Sequence, residues 1–173
     1  IERFNTLYNS NFIESKIKVN DENKTLSTNI ILVPHNLLLQ WKNYIEEKTD
    51  INNLLVFSSY KPVEKFFSKE GYDFTEESGR NEYSRNLREK LDNKVILISS
   101  STWNSFCSSV SIYLDEYYFS RVFIDEVHSI KIPNCSYINC NFLWFISSSI
   151  RHCCIRNNGF IKENLYPLLD FKY

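Results

Sequence analysis

Asp125 and Glu126 are the residues whose types and spacing point most directly to chemistry. They are adjacent, they follow three apolar residues, and a histidine comes two places later, in the stretch VFIDEVHSIK from Val122 to Lys131. Phosphoryl transfer needs one carboxylate to hold Mg2+, usually through water, and a polar group to orient or deprotonate the attacking water. Two adjacent acids at the tip of a strand can supply both. Acids that merely solvate a strand end would carry the same letters.

For that chemistry the pair must stand at the rim of an open sheet, because ligands of such sheets bind beyond the carboxyl ends of the strands. Five short apolar runs are candidate strands: Asn29 to Val33 (NIILV), Leu54 to Phe57 (LLVF), Val95 to Ile98 (VILI), Val122 to Ile124 (VFI) and Phe142 to Ile146 (FLWFI). They are continuous rather than alternating, the pattern of strands buried on both faces of a parallel sheet. Helical patterns fall between them. After Pro34, Leu37, Trp41 and Ile45 share a face with Leu38 and Tyr44 beside it, and Asn36 is a plausible N-cap. A second helix is expected over about Asn81 to Leu91, and a third over about Thr102 to Tyr118 with Phe106, Val110, Leu114 and Tyr117 on one stripe. Asp21 to Thr28 and Ser68 to Arg80 read as polar loops. Strands alternating with helices predict an α/β fold with right-handed crossovers, in one domain.

DEVHSIK has the D-E-x-H form of the Walker B motif, and with the following IPN it resembles the DEAHxIKNPxS stretch of Swi/Snf-type DNA translocases. Val127 stands where those enzymes usually carry Ala. Three further segments resemble the same superfamily 2 helicases and translocases, in the same order. IILVPHNLLLQWKNYIEE (Ile30 to Glu47) is similar to motif Ia, VILISSSTWNSF (Val95 to Phe106) to the motif Ib region, and FLWFISSS (Phe142 to Ser149) to motif III. Motif III usually has a Thr-Gly-Thr-Pro or Ser-Ala-Thr ending, and here it reads Ser-Ser-Ser. The short gap between motifs II and III is closest to the helicase-like proteins of large cytoplasmic DNA viruses.

That resemblance implies a partial first RecA-like domain over residues 1–173, of the P-loop NTPase type. The sheet would be doubly wound and mostly parallel, with helices on both faces. The implied cofactors are ATP and Mg2+. Asp125 would hold the Mg2+, Glu126 would polarise the attacking water, and His128 with Ser147, Ser148 and Ser149 would couple nucleotide state to domain movement. Pro34, His35, Gln40, Ser99, Ser100, Ser101 and Thr102 would face a nucleic-acid backbone, double-stranded DNA above all. A second RecA-like domain of the same parent chain would be the other partner. The implied setting is cytoplasm (viral factory or virion) or nucleus, without a membrane.

One required part is missing. A Gly-rich loop ending in Gly-Lys-Ser/Thr wraps the phosphates in this family. Only Gly71, Gly79 and Gly159 occur, and none is followed by Lys and Ser/Thr. The chain begins at Ile1 and has no methionine, so a piece of a longer protein is expected, with the loop near or before Ile1. A homologue that lost the loop and serves as a scaffold or nucleic-acid-binding subunit is one alternative. An unrelated doubly wound α/β protein, such as a small-molecule hydrolase with a chance DEVH, is the other.

Composition limits the remaining classes. The net charge is -1, which neither demands nor excludes a nucleic-acid partner. No apolar run approaches the roughly 20 residues of a membrane span, and no signal peptide is visible. The odd set Cys107, Cys135, Cys140, Cys153 and Cys154 reads as reduced thiols inside a cell. With His152 the last four could suggest zinc, but Cys-x4-Cys is wide and adjacent cysteines rarely ligate one ion. Lys42, Lys61, Lys65 and Lys69 are candidate phosphate contacts that could equally solvate a surface.

Overall fold

Each of the five apolar runs becomes a strand in the computed structural model, which describes residues 24–149 and 158–168. β1 (Thr25–Val33) leads through a 3-10 turn (His35–Leu37) into α1 (Leu38–Lys48). Then come β2 (Leu54–Phe57), α2 (Tyr60–Phe66), α3 (Glu77–Leu91), β3 (Val95–Ser99) and α4 (Trp103–Leu114). β4 (Tyr118–Ile124), β5 (Cys140–Phe145) and α5 (Phe160–Leu165) complete the order. The strands form one sheet, β2-β3-β1-β4-β5, and every neighbouring pair is parallel. The described chain is therefore α/β, with an all-parallel sheet flanked by helices.

Parallel neighbours cannot be joined by a tight turn, so each connection must cross over the sheet. Helices make most of these crossings. On one face Ile30, Leu32, Ile96, Ile98, Val122 and Ile124 pack with Leu87 and Leu91 of α3 and with Trp103, Phe106 and Val110 of α4. On the other face Val33 and Leu97 pack against Leu38 and Trp41 of α1. The crossing from β4 to β5 is different, because it is an irregular loop, residues 125–139. Val127, Ile130, Ile132, Cys135 and Ile138 are buried along it and do the covering that a helix does elsewhere.

Several local expectations are corrected. Asn36 caps no helix: the Leu37 N–H donates to the Pro34 carbonyl, which draws Asn36 into the 3-10 turn, and α1 starts at Leu38 without a side-chain cap. Tyr44 is exposed rather than beside the buried stripe, whereas Leu38 and Ile45 are buried. α3 begins at Glu77, inside the expected loop. Gly79 permits this start, since a Cβ there would lie 1.8 Å from the Asp73 carbonyl oxygen. α4 ends at Leu114 and β4 already begins at Tyr118, so Tyr117 lies between them. β1 takes in Thr25 to Thr28 from the expected polar loop, and the buried Thr28 hydroxyl donates to the Leu91 carbonyl.

The two faces are unequally covered at β5. Phe142, Trp144 and Ile146 are 37%, 45% and 41% exposed, while the Phe123 and Trp144 rings stack at 6.1 Å. Trp103 is fully buried, stacks on Phe160, and donates its indole N–H to the Ser136 carbonyl at 3.0 Å. Trp103→Ala should therefore cost about 3–5 kcal/mol of stability. Trp144→Ala should cost about 1–2 kcal/mol, the worth of its two aromatic pairs, with Phe123 and Phe142. Urea denaturation followed by far-UV circular dichroism measures both, and equal losses would contradict this packing.

Candidate functional site

Parallel pairing puts every strand tip on one rim. In the register, Val33 lies opposite Ser99, Leu32 opposite Ile124, and Ile124 opposite Phe145. The segments that follow these tips are consecutive along the rim: Ser99 to Thr102, then Pro34 and His35, then Asp125 and Glu126, then Ile146 to Ser149. Neighbouring strands are about 4.8 Å apart, so the four segments lie within reach of one ligand of nucleotide size.

The acidic pair is held from both sides. The Asp125 N–H donates to the Leu32 carbonyl at 2.9 Å, and the Val127 N–H to the Ile146 carbonyl at 3.1 Å. Between them Glu126 is forced into the left-handed region, with φ +48°. Its carbonyl accepts from the N–H groups of Ser129 and Ile130 and from the Ser129 hydroxyl, which closes a tight turn. Buried Val127 and Ile130 point into the core, and half-buried Glu126 and His128 stay at the surface. A side chain other than Gly at such φ stores strain, and strain of this kind collects at functional sites.

His128 links two strand tips. Its Nδ1 lies 2.8 Å from the Ser147 hydroxyl and 3.2 Å from Glu126 Oε2. Ser147 Oγ also accepts from the Ser149 N–H at 3.1 Å, and Ser148 is exposed. Asp125 is nearly buried, and its Oδ2 accepts the Trp41 indole N–H at 2.8 Å. This last bond is the feature that sequence reading missed. Trp41 reads as a core residue by its spacing, and it does pack on the Val33, Leu38 and Leu97 cluster. Its polar edge is nevertheless aimed at a residue 84 positions away, and no local signal encodes that.

The residues expected at a nucleic-acid backbone divide into two groups. His35, Gln40 and Ser101 are exposed and Ser100 is half-buried. Pro34, Ser99 and Thr102 are buried. The Thr102 hydroxyl is committed to the Ser99 and Phe57 carbonyls at 3.0 and 3.1 Å. Ser99 Oγ lies 3.0 Å from His35 Nδ1 and 2.8 Å from Ser101 Oγ, so it joins the tips of β1 and β3 from beneath. These buried groups shape the rim, and the exposed ones are free to touch a ligand.

Among the described residues no three His, Cys, Asp or Glu side chains converge on a metal position. The Asp125 carboxylate still suits Mg2+, which keeps several waters and takes one or two protein carboxylates beside substrate phosphates. His152, Cys153 and Cys154 lie outside the described residues. Lys42 pairs with Glu46 at 3.7 Å, and Lys69 lies over the Phe74 and Tyr113 rings. No described helix is long and apolar enough to cross a membrane. No protein-family model matches the sequence, and no curated protein is significantly similar to it.

Two predictions follow from this geometry. Glu126→Gly should be more stable than Glu126→Ala by about 1 kcal/mol, because only glycine adopts φ +48° without a Cβ penalty. Urea midpoints of the two variants give the sign, and a more stable alanine variant would remove the strain argument. Burial pushes the Cys107 thiol well up and the Cys135 thiol up to about 11. The reactive thiolate form of both is therefore scarce at pH 8. Iodoacetamide at pH 8 should leave both unmodified in the native protein and label both in urea, as read by peptide mass spectrometry.

Proposed function

We propose that this chain is part of the first RecA-like domain of an ATP-dependent DNA helicase or translocase. The observation that carries the reading is His128 Nδ1 standing within reach of both Glu126 and Ser147. It joins the acidic pair at the tip of β4 to the hydroxyl that follows β5. Such a link is what a motor needs if the state of its nucleotide is to be felt by a neighbouring segment. An all-parallel sheet with the acids on its carboxyl rim is compatible with the same reading.

ATP with Mg2+, when bound, supplies the phosphoryl group and neutralises charge that develops during its transfer. Asp125 is the residue to hold the ion. Glu126 orients the attacking water and accepts its proton. A change at Glu126 alters the hydrogen bond open to His128, and Ser147 to Ser149 pass that change to the second RecA-like domain. His35, Gln40, Ser100 and Ser101 are the groups for a nucleic-acid backbone, with Pro34, Ser99 and Thr102 as their support. Backbone contacts carry no base information, so binding is independent of sequence. The reading needs a phosphate-binding Gly-Lys-Ser/Thr loop from outside these 173 residues.

One observation favours a second reading, a catalytically inactive helicase-like scaffold: none of the three glycines is followed by Lys and Ser/Thr. ATP hydrolysis by the full-length protein carrying this chain separates the two. It should be stimulated by DNA, and Glu126→Gln should reduce it by about a hundred-fold or more, as expected for loss of a general base. Absence of turnover in a folded protein, with single- or double-stranded DNA, would sink the motor and leave the scaffold.

A further inference from the structure

Asp125 has an unusual neighbour for a carboxylate proposed to hold an ion. Its Oδ2 accepts the Trp41 indole N–H at 2.8 Å, the one hydrogen bond of that carboxylate among the described residues. Oδ1 has no hydrogen-bond partner among those residues, and no fully buried side-chain nitrogen or oxygen among them lacks one, so Oδ1 is not completely enclosed. One oxygen is thus held by the indole and the other is left without a protein hydrogen bond among the described residues. A rigid bicyclic ring on a helix is well suited to this. The indole is itself wedged against Val33, Leu38 and Leu97, so neither partner can turn freely.

We propose that Trp41 is a positioning residue for Asp125: its indole N–H fixes the carboxylate so that Oδ1 faces an incoming divalent cation, which makes α1 part of the ion site. The inference rests on the reading of Asp125 as the Mg2+ carboxylate. It adds a residue that lies outside the DEVH stretch, on the helix that follows the neighbouring strand β1. Outer partners of metal-ligating carboxylates orient them, and their loss commonly costs ten-fold or more in metal affinity. The same bond has a mechanical consequence. Gln40 is exposed on α1 directly beside Trp41, so a ligand that shifts α1 through Gln40 also shifts the hydrogen bond at Asp125.

The test is Mn2+ binding to the full chain, read by water-proton relaxation and by the indole cross-peaks of Trp41, Trp103 and Trp144 in a 15N-labelled sample. In the native chain the Trp41 cross-peak should broaden before the other two. Trp41→Phe keeps an aromatic ring and removes the N–H, and it should weaken Mn2+ binding about ten-fold. Ile45→Val loosens the buried side of the same helix and should leave the affinity unchanged. Unchanged or tighter binding in Trp41→Phe overturns the proposal, and so does an equal loss in Ile45→Val, which would make Trp41 a packing residue only. Asp125→Asn checks the foundation. If it binds Mn2+ as well as the native chain, the reading of Asp125 fails, and the role of Trp41 fails with it for that separate reason.

Discussion

All five described strands run in the same direction, and the rest of the structure depends on this. Parallel direction forces long connections, and long connections put helices or buried loops over both faces of the sheet. It also collects every strand exit on one rim. The chemistry-bearing residues of this chain leave β1, β3, β4 and β5 at those exits, although they are spread from Pro34 to Ser149 in sequence. An antiparallel arrangement of the same strands would divide them between two ends.

The rim is built from polar groups that the fold has already partly removed from water. Ser99, Thr102 and Asp125 are buried, and such groups are costly unless hydrogen-bonded. Each has its partner here: His35 and Ser101 for Ser99, two backbone carbonyls for Thr102, and the Trp41 indole for Asp125. Partners of this kind remove freedom from the side chains they satisfy, so the rim is rigid before any ligand arrives. Glu126 is the exception. It sits in a strained backbone conformation, half-exposed, and its carboxylate lies 3.2 Å from a histidine that is hydrogen-bonded to Ser147 after β5. One carboxylate of the pair is thus held by the core, and the adjacent one stands beside a histidine that reaches the next strand.

Much of this architecture was legible from residue patterns. NIILV, VILI and LLVF are continuous apolar runs because both faces of their strands are covered, and they read as parallel strands for that reason. The boundaries were harder. Thr25 to Thr28 looks like a loop by composition, yet pairing with β4 and the bond from Thr28 to Leu91 make it strand. Asn36 looks like a helix cap, yet the turn set by Pro34 carries the chain past it. In the first case a tertiary contact outweighed a local preference, and in the second one local turn displaced another. At the rim, adjacency of Asp125 and Glu126 after an apolar run was enough to place them at a strand tip. The nearness of His128 to Ser147 was readable only through resemblance to a family, and the bond from Trp41 to Asp125 was not readable at all.

Trp41 shows why pattern reading stops where it does. Hydrophobic periodicity assigns a whole side chain to one environment, because it counts residues and not atoms. Tryptophan is divided: most of its surface is apolar, and one N–H at its edge requires an acceptor when it is buried. Periodicity placed the ring correctly against the sheet. It could not place the N–H, since the acceptor follows a strand two connections further along the chain. An amphipathic ring that packs with its body and bonds with its edge is therefore a natural joint between a core and a polar site. In this fold it is the joint between α1 and the acidic pair, and it lets the most buried of the two carboxylates be positioned by the core itself.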